Sequence, residues 1–228
     1  MKQKKVAVIL AGCGVFDGAE IQETVFSLLS IEKDGAAYEV YAPDIEQKHV
    51  INHITGQEMS EKRNVLTEAA RITRGKIQPL TKLKTSNFDA LILPGGFGVA
   101  KNLCTFAFDG ADCKVNPEVE SVVKEFHKAK KPIGALCISP VLLTKIIGNT
   151  KVTIGNDPDA SQAVEKMGGT HITTTHAEVV IDKENKIATT PCYMLDATIS
   201  QIAEGADKVV KETLELILDT PLDESIER

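Results

Sequence analysis

No stretch of this chain approaches the roughly 20 consecutive apolar residues that a bilayer-spanning helix requires, so the sequence offers no helical membrane anchor. Positive charge is also scarce: 26 Lys and Arg stand against 32 Asp and Glu, a formal net charge of -6, and the basic residues are scattered. Nucleic acid is therefore not an expected partner, because phosphate backbones are held by a continuous basic surface. The five cysteines, at 13, 104, 113, 137 and 192, are odd in number and include no C-x-x-C pair. That argues against a disulfide framework or a zinc ribbon and for individual thiols in a reducing compartment. The start, "MKQKKVAVILAGCG", is basic, but its apolar run is too short for a signal h-region. The expectation is a soluble cytoplasmic protein; a mitochondrial matrix setting would look alike apart from a cleaved leader. There is no internal repeat and no low-complexity linker.

What is present is one substantial core, since 228 residues at 43% hydrophobic suit a single domain. "KVAVIL" is a continuous apolar run ending in a glycine turn, as in a strand buried on both faces. In "AEIQETVFSLLSIEKDG", Ile21, Val25, Leu28 and Leu29 recur at helical spacing and Gly35 sits where a helix stops. "YEVYAP" and "FDALILPGG" read as further strands. "NPEVESVVKEFHKAKKP" reads as a helix with Pro117 near its start and Val119, Val122, Val123 and Phe126 on one face. "IGALC" is then a fourth strand. Strand and helix in alternation imply a mostly parallel sheet with helices on both faces. "AEVVIDKENKIATTP" predicts a hairpin turning at Asp182 to Asn185, and residues 196–218 predict a helix broken at Gly205. The least patterned region, 44–87, contains "SEKRNVLTEAARI", a helix with Ser60 as its expected cap.

The turn "GCGVFDG" has the spacing G-x-G-x-x-x-G, whereas a dinucleotide fingerprint needs G-x-G-x-x-G. A turn requiring positive φ at its glycines is the preferred reading. Beyond it, Glu20 and Glu23 would begin the helix at the carboxyl edge of the sheet, where an acidic side chain also complements the helix dipole.

A cysteine among apolar residues is more often packing than chemistry. Three features of "KPIGALCISPVLL" favour chemistry at Cys137. Ser139 and Pro140 suit a cap and a first helical position. A thiol just before a helix N-terminus is expected to have a lowered pKa. Finally, open α/β sheets place ligands at the carboxyl ends of their strands. "LPGGFG" ends the neighbouring strand, and Pro94-Gly95-Gly96 would aim backbone N–H groups at the same edge, where they and the N–H of Ile138 could hold an oxyanion.

With these residues in view, "ETV", "LPGGFGVAKNL" and "GALCISPVLL" resemble the superfamily of PfpI-type proteins and class I glutamine amidotransferases. Within it, "GCGVFDGAEIQE", "INHITGQEMSEKRNVLTEAARITRGKI" and "TTPCYML" resemble the ElbB family, called isoprenoid biosynthesis or enhancing lycopene biosynthesis proteins. The likeness runs from about residue 4 to 218. It implies a flavodoxin-like three-layer sandwich forming one domain over residues 1–228, with an insertion at about 44–87 beside the active edge and a β-hairpin towards the C-terminus.

The resemblance also implies roles. Cys137 matches the elbow cysteine, and Glu23 the helix glutamate that contacts its sulfur, with Glu20 the lesser candidate. Gly96 and Ile138 match the backbone donors. It further implies a homodimer and a glyoxalase III-like activity that converts methylglyoxal or glyoxal to a hydroxy acid without cofactor or metal. The residues permit it: a thiolate adds to the aldehyde, a proton moves with help from Glu23, and a thioester hydrolyses. The competing readings are a non-catalytic thiol that senses oxidants and an amidotransferase-like module serving isoprenoid metabolism. PfpI-type hydrolases carry a histidine directly after the nucleophile; Ile138 stands there, which argues against a peptidase. His176, Ala177 and Glu178 spell the H-x-E of amidotransferases but enter the predicted hairpin, and triads are recognised by geometry. His49 and His53 are four apart without a third clear ligand, so a loop is preferred to a metal site.

Overall fold

The computed structural model describes residues 3–218. In chain order the elements are β1 (Lys5–Ile9), α1 (Ile21–Lys33), β2 (Ala37–Ala42), α2 (Val65–Ile72), β3 (Gln78–Pro79), β4 (Ala90–Leu93) and the short α3 (Phe106–Asp109). They continue with α4 (Pro117–Lys128), β5 (Ile133–Leu136), α5 (Ser139–Ile147), β6 (Lys151–Val152), α6 (Pro158–Lys166), β7 (Thr170–His171), β8 (Val180–Asp182), β9 (Ile187–Thr190) and α7 (Ile199–Leu218).

The main sheet has seven strands in the order β3-β2-β1-β4-β5-β9-β8, and every pairing is parallel except β8 against β9. Alternation along each strand feeds two cores, because successive side chains leave opposite faces of a pleated sheet. Ala7 and Ile9 of β1 face the layer that holds Val119, Val123 and Phe126 of α4 and Val141 and Leu142 of α5. Val6 and Val8 face the layer of α1, α2 and α7. This is the mostly parallel sheet with helices on both faces that the alternating pattern implies, and the flavodoxin-like three-layer sandwich that the family resemblance implies. The hairpin forms as expected, with Val180 opposite Thr189 and Asp182 opposite Ile187. Its second strand lies beside β5, which brings the turn after β9 to the same edge as Cys137. A separate parallel pair joins β6 and β7.

Four local expectations are corrected. The apolar repeat of α1 marks a helix but not its buried face: Ile21, Val25 and Leu29 are 43%, 44% and 43% exposed, while Glu23, Thr24, Ser27, Ser30 and Ile31 point inward. The buried hydroxyls are satisfied within the helix, Thr24 donating to Glu20 O at 2.7 Å and Ser27 to Glu23 O at 2.7 Å. α7 runs unbroken through Gly205, whose missing side chain instead lets the helix settle against the sheet: a Cβ there would already touch Cys192 Sγ and Thr190 Oγ1, each at 3.4 Å. The helix in the least patterned region starts at Val65, capped by Asn64, whose Oδ1 accepts from Thr67 N at 2.9 Å, rather than by Ser60. At the elbow, Ser139 lies inside the first turn of α5 and donates its hydroxyl to Pro94 O at 2.7 Å, so Ile138 holds the cap position.

Candidate active site

Four turns leave the carboxyl edge of the sheet at one place, following β1, β4, β5 and β9. Cys137 directly follows β5 with φ at +59°, a left-handed conformation that costs a residue with a Cβ about 1–3 kcal/mol. The neighbours hold it there. Cys137 N donates to Thr190 O of β9 at 3.0 Å, and Ser139 pins the start of α5 to Pro94. Gly95 supplies the space: a Cβ there would lie 2.3 Å from Cys137 Cβ and 2.9 Å from its sulfur. Gly96 takes φ of +99° and leaves no room for a side chain against Gly18 O. The same conformational demand explains the first glycine turn, where Gly12 and Gly14 have φ of +114° and +119°.

Glu23 is fully buried and meets the sulfur. Its Oε2 accepts from Gly95 N at 2.9 Å and its Oε1 from Tyr193 N at 3.2 Å. Oε2 and the Cys137 sulfur flank Gly95, 2.7 Å and 2.9 Å from where a Cβ would stand, close enough that each shifts the other's pKa. Glu20, one turn earlier, caps α1 by accepting from Glu23 N at 2.6 Å. Its position is that of a helix cap whose charge acts on Glu23 from a distance. The backbone amides of Gly96 and Ile138 flank Cys137 and act to lower the pKa of its thiol.

Burial dominates the electrostatics. The Glu23 carboxyl is pushed up to about 8, first by desolvation and then by the charge of Glu20, against the amides of Tyr193 and Gly95 and the thiol of Cys137. The thiol of Cys137 is also pushed well above its ordinary value, by burial and by the Glu23 carboxylate. The lowered value expected from the helix N-terminus alone is thus overturned: the Gly96 and Ile138 amides do pull it down, but removal of water and a neighbouring carboxylate outweigh them. Two acids in contact lose their protons as a pair. With Glu23 protonated, the charge that opposes the thiolate is gone and a hydrogen-bond donor stands beside it.

Cys137, 6% exposed, looks into a cavity of about 590 Å³. Phe97, Phe106, Ile138, Ala160 and Met194 give it a largely apolar wall, and Asp157 and Asp159 add acidic groups at one side. Asp157 also caps α6, accepting from Ala160 N at 2.8 Å.

The other candidate residues are engaged elsewhere. His176 Nε2 bonds to Asp196 O at 3.0 Å and the Glu178 carboxylate to Thr175 N and Oγ1, so the H-x-E triplet closes its own turn. Phe16 N donates to His53 Nε2 at 3.2 Å, and His49 packs edge-on to Phe108. Among the described residues, no group of three or more His, Cys, Asp and Glu side chains converges in the manner of a metal site.

Two contributors were not singled out by sequence reasoning. Tyr193 provides the amide that holds Glu23, and Cys192, with φ of +42°, lies buried in the same electrostatic neighbourhood. The available signal was Pro191-Cys192 at the end of a strand; what hid it was the need to know that the hairpin's second strand pairs with β5. Asn102 was missed as well. Its Nδ2 donates to Ala11 O at 3.0 Å and to Asp17 O at 2.9 Å, while its Oδ1 accepts from Lys48 N at 2.9 Å. Asp17, 3% exposed, accepts from Ile51 N at 2.6 Å. The glycine turn is therefore clamped to residues 48–51, and its aspartate serves the fold.

The model of the DJ-1/PfpI family matches residues 4–200. The human glutamine amidotransferase-like class 1 domain-containing protein 3, mitochondrial, is 46% identical over 222 residues, 93% of this chain and 83% of that protein. A solved isoprenoid biosynthesis protein with amidotransferase-like domain from Ehrlichia chaffeensis superposes with a TM-score of 0.85 at 37% identity, covering 92% of this chain and 99% of that one. Glyoxalase III from Candida albicans shares the fold at a TM-score of 0.59 and 13% identity, covering 93% and 97% of the two chains.

Proposed function

The chain belongs to the DJ-1/PfpI family, and on that premise we propose that it is a cofactor-independent, glyoxalase III-like enzyme of the ElbB type, acting on small reactive aldehydes through Cys137. The observation that carries this reading is the juxtaposition of the buried Glu23 carboxyl and the Cys137 thiol on either side of Gly95, with the thiol facing a cavity. A structural thiol needs no carboxylic acid against it.

The chemistry follows from the two groups. The reactive tautomer of the singly ionised pair, a minor one because the thiol lies above the carboxyl, has the charge on sulfur and the proton on Glu23. The sulfur adds to the aldehyde carbon, the C–S bond forms as the carbonyl π pair moves to oxygen, and Glu23 gives that oxygen its proton. The carboxylate so formed removes the hydrogen from the same carbon; the C–H pair forms a C=C bond as the ketone π pair moves to its oxygen, which takes the proton of the neighbouring hydroxyl. Glu23 then returns its proton to the former ketone carbon as the thioester C=O forms, leaving a hydroxyacyl thioester. Water then hydrolyses the thioester, releasing the hydroxy acid and the thiolate. The amides of Gly96 and Ile138 are the donors in reach of the developing oxyanion. Peptide hydrolysis fits less well, because Ile138 supplies no base and His176 is held at Asp196. The compartment we assign is a reducing aqueous one. The human relative's name, which includes the word mitochondrial, supports a matrix setting alongside the cytoplasmic one.

The test is conversion of methylglyoxal to lactate by the purified protein and by Cys137→Ala and Glu23→Gln. Loss in both variants is expected, the second by roughly 10²–10⁴-fold for a removed acid–base group. Unchanged turnover in both would remove the proposal. Negligible turnover in the wild type, with stable oxidation of Cys137 under mild peroxide, would favour the sensing role instead.

A further inference from the structure

Away from Cys137, two thiols that sequence spacing suggests are independent meet in the fold. Cys104 lies opposite Val115 in an isolated antiparallel pairing, flanked by Thr105 N donating to Lys114 O at 2.9 Å and Asn116 N to Leu103 O at 2.8 Å. That pairing turns Cys113 back beside Cys104; each thiol shifts the other's pKa, neither is in a disulfide, both are 3% exposed, and the Cys104 thiol donates to Val99 O at 3.4 Å. The layer of chain between them, α3 and the turn Gly110–Asp112, contains no buried residue: Thr105, Phe106, Gly110 and Ala111 are half-buried and the rest exposed. Lys145 Nζ ties that layer down through Ala111 O at 2.8 Å. The same layer lends Phe106, Ala107 and Gly110 to the wall of the Cys137 cavity.

We propose that Cys104 and Cys113 are a reversible dithiol–disulfide site, oxidised by hydrogen peroxide or a hydroperoxide of similar size, in the segment that walls the cavity. The geometry sets the order of events. Cys113 is the attacking thiol, lowered to about 7 by the neighbouring Cys104 thiol and by the Lys145 ammonium, against burial and Asp109. Cys104 is pushed up, first by Cys113 and then by burial, and keeps its proton. The Cys113 thiolate attacks one peroxide oxygen; the S–O bond forms as the O–O bond breaks, and the leaving hydroxide takes a proton from solvent. Cys104 sulfur then attacks the sulfenic sulfur, the S–S bond forms as the S–O bond breaks, and the hydroxide leaves with the Cys104 proton as a second water. The two thiols lose two electrons and two hydrogens, and the peroxide is reduced to water. Peroxide is scarcely larger than water, so local opening of that layer suffices for entry.

Trypsin reads the site in isolation, since cleavage after Lys101 and Lys114 yields a peptide, 102–114, with both thiols and no other cysteine. The experiment uses Cys137→Ala protein, which keeps the outcome separate from any failure of the aldehyde reading. After near-stoichiometric peroxide, denaturation, alkylation and digestion, that peptide is expected lighter by two hydrogens and free of alkyl groups, and dithiothreitol restores both alkylations. Cys104→Ser is expected to leave a sulfenic acid at Cys113 that dimedone traps, and Cys113→Ser to leave Cys104 reduced. Full alkylation of both residues after the peroxide is consumed, or Cys113 advancing to sulfinic acid with Cys104 still present, would overturn the proposal.

Discussion

The amide of Tyr193 donates to Oε1 of Glu23 at 3.2 Å, joining the turn after the last strand to the first helix at a carboxyl group beside the Cys137 sulfur. A second amide, from Gly95, takes the other oxygen at 2.9 Å. The carboxyl is thereby fixed in orientation while burial keeps it protonated up to about pH 8. A fixed, neutral acid beside a thiol has measurable consequences.

The first concerns pH and rate. At low pH the pair carries both protons and the sulfur is not nucleophilic; the reactive form has lost one. Aldehyde turnover, as kcat/KM, is therefore expected to rise with pH up to about 8, in step with the Glu23 value, and then level. In Glu23→Gln the residual activity should rise only at higher pH, because Cys137 must then ionise alone against its burial. A wild-type profile flat from about pH 6 to 9 would contradict the coupling.

The second concerns pH and stability. The folded-state value of Glu23, about 8, lies above its ordinary 4.5, so between these the folded protein holds a proton that the unfolded chain releases. The stability linked to that proton is complete below the lower value and is lost as pH rises towards the upper one. Urea unfolding of wild type relative to Glu23→Gln is expected to show wild type losing up to about 1.4 kcal/mol per pH unit in this window. A difference that does not change with pH would mean that Glu23 ionises freely in the fold.

The third concerns Gly95. A methyl group there would lie 2.3 Å from Cys137 Cβ and 2.7 Å from Glu23 Oε2, and the Cβ of the elbow is too close to the main chain to swing away. Gly95→Ala is expected to destabilise by about 1–3 kcal/mol through overpacking. It should also slow turnover by roughly 100-fold, because it separates two groups that must touch. Gly35→Ala is the contrast: its φ is +74°, with nothing within 4 Å of the added carbon, so it should lose stability without losing activity.

Which parts of this were legible beforehand follows from how local their causes are. The alternating strands and helices, the buried face of α4 and the elbow at Cys137 each depend on residues adjacent in sequence, and a pattern or a family motif exposes them. α1 misleads because its inward face is built from Glu23, Thr24, Ser27 and Ser30, satisfied by the helix's own carbonyls and by Gly95 and Tyr193. A periodicity of apolar residues finds such a helix and reverses its orientation. The direction of the Cys137 shift was not accessible either, since the helix terminus is written in the sequence whereas complete burial beside a carboxyl group is a property of four turns brought together. The Cys104 and Cys113 contact likewise depends on a two-residue pairing that no spacing rule reveals.

The clamp at Asn102 gives a prediction about the fold alone. Its amide satisfies Ala11 O and Asp17 O in the glycine turn and Lys48 N in a second segment. Asn102→Ala leaves those groups without their partner and should cost about 1–3 kcal/mol in urea unfolding. Proteolysis near residues 48–51 should become faster, because the same side chain holds that segment to the glycine turn. An unchanged unfolding midpoint would show that water replaces the amide without loss.

The cavity itself discriminates between substrates. Methylglyoxal is small beside about 590 Å³, and Phe97, Phe106, Ile138 and Met194 offer apolar surface that it cannot cover. A dicarbonyl of the same reacting geometry with a larger apolar group would bury more carbon there, at about 0.8 kcal/mol for each carbon fully removed from water. Two or three such carbons amount to roughly tenfold or more in binding. Phenylglyoxal is thus expected to show a KM at least about tenfold below that of methylglyoxal, with a similar kcat because the reacting atoms are unchanged. Phe106→Ala should raise the KM for phenylglyoxal and leave that for methylglyoxal nearly as it was. Equal KM values for the two aldehydes in the wild type would mean that the substrate's side group stays in solvent and that the apolar wall has another occupant.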